Sequence, residues 1–256
     1  MIAPRVVGAA RLGAALVLLS GGFFALYEVV EAPRSGAFEP VVTQGSARRV
    51  VALTFDDGPT RGVTDRLLDV LEREHVHATF FVVGRAARRE PALLRRMIAD
   101  GDQIENHSDT HPHLNVLTPG VLESEIARAD DAVYAATGRH TSLLRPPFGA
   151  RNASVIEAAG ARNMHVVLWS AMLDETSPNA DPALLVRRLL EPVHDGAIVV
   201  LHDGDQGRPV AGGRAYEAAF APRVIAVLRA RGYRFVTLAE LLGSPSPGNA
   251  ANREKT

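Results

Sequence analysis

The stretch Val50-Val51-Ala52-Leu53-Thr54-Phe55-Asp56-Asp57-Gly58-Pro59 decides the fold. An uncharged run of apolar and β-branched residues stops abruptly at two carboxylates and a Gly-Pro turn, the pattern of a strand that ends in a polar cluster. Just downstream, Val63, Leu67 and Leu71 recur at fourfold spacing and mark the apolar stripe of a helix. The same strand-then-helix unit repeats along the chain. Strands are expected at residues 50–55, 78–83, 103–104, 143–144, 165–169, 197–201 and 233–236. Helices are expected from Pro91 to Gly101, from Thr118 to a stop at Gly138, from Asn152 to Gly160, from Pro182 to Leu190, through Val224, Ile225 and Leu228 to Gly232, and briefly at 238–242. Alternation of this kind implies parallel strands joined by helical crossovers. About seven strands in the 195 residues from 48 to 242 predict an α/β fold, a distorted (β/α) barrel close to its lower size limit. A doubly wound open sheet is the alternative.

The flanks read differently. Arg5 and Arg11 precede Leu12 to Tyr27, sixteen residues without a charge, so residues 1–31 are expected to be a signal peptide or an N-terminal membrane anchor in the form of an apolar helix. Extension of that run toward Val6 and Val30 brings it to the about 20 residues that span a bilayer. Residues 32–47, with their Pro, Gly and Ser, read as a linker, and 243–256 as a disordered tail. The expected location is extracytoplasmic, secreted or held at the membrane.

Composition removes whole classes of function. With 28 Lys+Arg against 29 Asp+Glu the net charge is −1, which argues against nucleic acid as a partner. There is no cysteine, so disulfide scaffolds, thiolate metal sites and cysteine nucleophiles are excluded. Any metal must be held by His, Asp or Glu. No protein partner is indicated. The basic stretch Arg85, Arg88, Arg89, Arg95 and Arg96 reads as a solvated helix face rather than a contact for anionic lipid or wall polymer.

Polar clusters interrupt the chain just after the strands: Asp56-Asp57-Gly58-Pro59, Glu105 to His111, Arg145 to Gly149, Trp169, and His202-Asp203-Gly204. Active sites of parallel α/β folds lie at that end of the strands, and five separate elements converge there. The spacing His107-x-x-x-His111 would place two imidazoles on one side of a helical turn, able to share a metal, and Asp57 would complete a His₂Asp set with open positions. That set suits Zn²⁺ and also admits Co²⁺, Ni²⁺ or Mn²⁺. Asp56 is then free to act as a general base on a water at the ion, or else to cap a helix. Arg145 would hold that carboxylate ionised, unless it forms a surface ion pair. His202 could give a proton to a leaving amine.

Taken in order, Thr54-Phe55-Asp56-Asp57-Gly58, His107-Ser108-x-x-His111, Arg145-Pro146-Pro147-Phe148-Gly149 and Val199-Val200-Leu201-His202-Asp203 resemble the motifs of the polysaccharide deacetylases, carbohydrate esterase family 4, the NodB-homology domain. The resemblance covers about 195 residues. It implies metal-dependent removal of N-acetyl groups from a GlcNAc-containing glycan. Position by position it makes Asp57, His107 and His111 metal ligands, Asp56 the base, Arg145 its orienting partner and His202 the acid. The backbone N–H of Phe148, following Pro147, becomes the oxyanion donor. Trp169, at a strand end, is open to two readings, a stack on a sugar ring or a place in the core. The chain departs from the family at one motif: the Asp-Trp element that usually follows the fifth strand is absent after Trp169, leaving Asp174 or Asp181 as replacements for the carboxylate that orients the acid. That gap also admits a carbohydrate-binding pseudoenzyme, and the fold admits a hydrolase of small amides or imides. A glycosidase is excluded because adjacent carboxylates cannot flank a glycosidic bond.

Overall fold

The computed structural model describes residues 38–172, 181–206 and 214–243. The apolar segment expected at 1–31, Asp174 and most of the expected tail lie outside them. Among the described residues no helix is long and apolar enough to cross a membrane.

The elements in chain order are β1 (Val41–Val42), β2 (Val50–Asp56), α1 (Thr64–Arg73), β3 (Thr79–Val82), α2 (Gly84–Arg89), α3 (Pro91–Ala99), β4 (Gln103–Asn106), α4 (Pro119–Thr137), β5 (Leu143–Leu144), α5 (Ala153–Ala161), β6 (His165–Val167), α6 (Pro182–Leu190), β7 (Ile198–His202), α7 (Ala221–Ala230), β8 (Arg234–Phe235) and α8 (Leu238–Leu241). Short 3-10 turns at Leu114–Val116, Pro147–Gly149 and Arg214–Phe220 complete the set. All named strands pair in parallel, in the order β1-β6-β5-β4-β3-β2-β7, with β8 against the lower half of β2. The sheet curls until its ends nearly meet. The chain beyond β6 bridges to β7 at Ala171 and Val199, and Gln44 bridges to Ala197. The fold is therefore the distorted, incompletely closed barrel that strand–helix alternation predicts.

Two differences have physical reasons. The stretch 32–47, expected as linker, includes β1, which adds to β6 in register Val41↔Val166 and Val42↔Val167. Two adjacent valines are too short a run to stand out by periodicity, and only the exposed edge of β6 gives them partners. The strand expected to reach Trp169 ends at Val167, because the chain leaves the sheet there to bridge β7.

Alternation along β2 sorts its residues. Val51, Leu53 and Phe55 face the helices, packing with Leu67, Leu71, Met97 and Ile225. Val50 and Ala52 face the barrel interior with Phe81, Ile198, Val200 and Trp169. Period two then carries Thr54 and Asp56 along the interior face toward the C-terminal mouth. On β7 the same rule places His202 above Ile198 and Val200, paired in register with Asp56. At the opposite end α8 plugs the barrel, with the Leu238 N–H donating to Thr79 Oγ1 (3.0 Å) and the Ala239 N–H to Gln103 Oε1 (2.8 Å).

Just before β4, buried Asp102 accepts the Ala78 N–H at 2.8 Å, and burial pushes its carboxyl up to about 7 from an unfolded value of 3.8. The folded state thus retains a proton that the unfolded chain releases, so this group lowers stability as pH rises from the unfolded value toward about 7. Asp102→Asn keeps the acceptor and removes the proton. Thermal melts followed by circular dichroism should show a smaller drop in Tm between about pH 5 and about pH 8 for the variant than for the parent chain.

Candidate active site

The mouth of the barrel begins where β2 ends. Asp56 is the last strand residue, and Asp57 leaves the strand at a φ of 75°, a left-handed conformation uncommon for a residue with a side chain. Strict alternation would send Asp57 to the face opposite Asp56. The left-handed turn breaks that alternation and brings Asp57 Oδ1 to 3.0 Å from His111 Nε2 and 3.5 Å from His107 Nε2. Gly204 makes room for the turn, since a Cβ there would lie 2.2 Å from the Asp57 carbonyl oxygen.

His107 and His111 lie on a loop rather than on the helical turn their spacing suggests. Ser108 and His111 both have positive φ, 62° and 63°. The loop is held from several sides: Asn106 Oδ1 accepts the Ser108 N–H (2.9 Å), Ser108 Oγ accepts the His111 N–H (3.0 Å), and Glu125 on α4 accepts the N–H groups of Asp109 and Thr110 (3.0 and 2.8 Å). His107 Nδ1 lies 2.7 Å from the Arg145 carbonyl oxygen, which fixes the proton on Nδ1 and leaves Nε2 as a lone pair aimed toward Asp57.

One ligand atom from each of Asp57, His107 and His111 lies within 4.8 Å of the others, and all three residues are buried. Asp57 Oδ1 has no aligned hydrogen-bond donor despite its two imidazole neighbours. Separations of 3.0 and 3.5 Å match the edges, about 3.3 Å, of a tetrahedron with bonds of about 2.0–2.1 Å. The three residues therefore fit one divalent cation.

Asp56 is neither a helix cap nor solvated. Its Oδ1 accepts from Arg145 at 2.7 Å. Arg145 is 0% exposed, so it is no surface ion pair. It also donates to Thr54 Oγ1 (2.8 Å) and the Leu168 carbonyl (3.1 Å), with its guanidinium 3.9 Å over the Phe81 ring. Beyond Arg145, Pro147 is buried and starts the 3-10 turn in which Phe148 has a φ of 62°. The Phe148 ring is 46% exposed, stacks on His113 at 4.0 Å and meets His111 edge-on at 4.7 Å. Trp169 is instead nearly buried in the interior cluster, 6.0 Å from the Arg145 guanidinium. Of these two aromatic residues, Phe148 is the one exposed to solvent.

His202 ends β7, and its Nδ1 lies 3.0 Å from Oε2 of Glu217, a fully buried residue on the 3-10 turn Arg214–Phe220. Asp181, one of the two carboxylates expected to orient His202, is the N-cap of α6 and accepts the Ala183 N–H. Glu217 lies fifteen residues from His202 with no motif around it, so the sequence carries no signal that pairs the two. Asp203 turns away to Thr64 Oγ1 (2.6 Å), and burial pushes its carboxyl up to about 7.

The structure thus brings Asp56, Asp57, His107, His111, Arg145, Phe148 and His202 to one end of the sheet. The basic stretch is not simply solvated: Arg88 pairs with Asp109 of the histidine loop at 2.6 Å, Arg96 with Asp69 at 2.7 Å, and Arg85 donates to the Gln206 carbonyl.

Comparison with known proteins agrees with this geometry. A family model described as polysaccharide deacetylase matches residues 43–167. The chitooligosaccharide deacetylase of Sinorhizobium fredii is 34% identical over 210 residues, covering 78% of this chain and 91% of that protein. The peptidoglycan-N-acetylglucosamine deacetylase PgdA of Listeria monocytogenes is 33% identical over 204 residues, covering 80% of this chain. The chain spans only 41% of that relative's length. Among solved structures, the Bc1960 peptidoglycan N-acetylglucosamine deacetylase superposes with a TM-score of 0.73 at 25% identity, covering 80% of this chain and 94% of that one. With that fold and the four motifs gathered at one end of its sheet, the chain belongs to the polysaccharide deacetylase family, carbohydrate esterase family 4.

Proposed function

We propose that the chain is a divalent-metal-dependent hydrolase that removes N-acetyl groups from a GlcNAc-containing glycan outside the cytoplasm. The observation that carries this reading is the Asp57, His107 and His111 cluster lying beside a second carboxylate, Asp56, that Arg145 holds separately. Two adjacent acids with different partners are free to take different roles. The names of the relatives, chitooligosaccharide and peptidoglycan deacetylases, support the substrate class and an envelope or extracellular location.

Asp57, His107 and His111 would hold the ion, Zn²⁺ by the chemistry of the ligand set, with Co²⁺, Ni²⁺ or Mn²⁺ as substitutes. When bound, the metal polarises the acetyl carbonyl and makes a neighbouring water more acidic. Asp56 takes a proton from the attacking water. Arg145 aims Asp56 by donating to its Oδ1 at 2.7 Å. The Phe148 N–H, presented by the turn that Pro147 begins, is the donor for the developing oxyanion. His202 gives a proton to the glucosamine nitrogen as the C–N bond breaks, and acetate and a free amine leave. The exposed Phe148 ring offers an apolar face to a sugar at the mouth. Trp169, buried near Arg145, packs beneath the site.

Chelator-treated protein should take up one divalent ion per chain by calorimetry. Asp57→Ala should lose more affinity than the about 10–100-fold typical of removing an outer-sphere partner. Asp56→Asn should retain the ion yet lose roughly 10²–10⁴ in kcat for acetate release from peptidoglycan, chitin oligosaccharides or poly-N-acetylglucosamine. Near-parental turnover in that variant removes Asp56 from the mechanism. Acetate release by the parent chain that is unaffected by chelator refutes the metal dependence.

A further inference from the structure

We infer that Glu217 is the positioning residue for His202, supplying from the connection between β7 and α7 the carboxylate that the segment after Trp169 lacks as an Asp-Trp element, an assignment that rests on the deacetylase reading of the site. Glu217 is 0% exposed, and its Oε2 lies 3.0 Å from His202 Nδ1. A buried carboxylate is costly unless hydrogen-bonded, and here the bond is to the acid of the proposed reaction. The backbone carrying it is anchored. Ala218 and Phe220 of the same turn are buried in the outer core, and the rings of Tyr216 and Phe220 meet edge-to-face at 5.9 Å. The turn runs directly into α7, whose Ala221, Val224 and Ile225 are buried in the same outer core.

Among the described residues, three acids at the mouth have other partners. Asp203 bonds Thr64, Asp56 bonds Arg145, and Asp57 belongs to the metal cluster. Asp181 caps α6. With a carboxylate at Nδ1, the imidazole carries its proton there, and Nε2 becomes the nitrogen that exchanges a proton with the leaving amine. Ring orientation and tautomer are thus both set by one contact. The supporting carboxylate has moved from the connection after β6 to the connection after β7, while the histidine stays on its strand end.

The test combines a structural readout with a kinetic one. In the metal-loaded ¹⁵N-labelled chain, NMR of the His202 ring should show the Nδ1–H tautomer, and Glu217→Leu should abolish that preference. Glu217→Gln and Glu217→Leu should lower kcat for acetate release by roughly 10²-fold or more, with KM within about twofold of the parent. Asp174→Asn should leave both parameters near parental values. An Nε2–H ring in the parent chain, a kcat within about threefold of the parent in either folded variant, or the same loss in Asp174→Asn overturns the assignment. Should neither Glu217 variant fold, the parent ring tautomer decides alone. Absence of acetate release from every glycan would refute the deacetylase reading, and the tautomer would still decide the role of Glu217.

Discussion

A fully buried guanidinium at the mouth of the barrel ties the site together. Arg145 follows β5, donates to Thr54 and Asp56 on β2, donates to the carbonyl of Leu168 beyond β6, and rests over Phe81 from β3. Four stretches of chain therefore meet at one side chain. Thr54 passes the connection on by donating to the Val199 carbonyl of β7 at 3.0 Å. Taking such a cation out of water costs several kcal/mol, which only good geometry and multiple acceptors offset. That requirement explains why the neighbouring polar groups are so fully committed. Asp56 can be buried because Arg145 donates to it, and Arg145 can be buried because Asp56, Thr54 and a carbonyl receive it. The carbonyl of Arg145 itself receives His107 Nδ1, so the same residue fixes the tautomer of a histidine in the candidate metal cluster.

The second constraint is how two consecutive acids come to face the same cavity. A strand alternates its side chains, and Asp56 and Asp57 should diverge. The left-handed φ at Asp57, matched by similar values at Ser108 and His111 on the facing loop, stores local strain where the ligand atoms converge. Glu125 and Asn106 hold the histidine loop in that shape, and Arg88 adds a hold through Asp109. The cluster is thus prepared by bonds outside it, so His107 and His111 approach Asp57 without belonging to a regular element.

His202 illustrates the limits of motif reading. Its own placement follows from β7: a strand of alternating core residues delivers it to the interior face opposite Asp56. Its hydrogen-bond partner follows from nothing local. The carboxylates nearest to the missing motif in sequence are the natural candidates, yet one of them caps a helix, and the partner in the fold is Glu217 on a turn after the next strand. A carboxylate can reach an imidazole from any connection that passes the mouth, so the chemistry constrains the residue type and leaves its address free.

Seven of the eight strands, their parallel pairing and the end of the sheet where the polar clusters gather were determined by sequence alone, because buried strands leave apolar runs and the polar residues that stop them must lie at the strand ends. Asp56, Asp57, His107, His111, Arg145 and His202 were legible for that reason. The tertiary structure decided what depends on through-space neighbours: that Val41 and Val42 form a strand, since only the edge of β6 makes them one; that His107 and His111 converge from a loop; that Trp169 is covered; and that Glu217, fifteen residues from His202 in the chain, is its partner. Periodicity records which face of an element is buried, and it carries no information about which distant side chain comes to lie across the cavity.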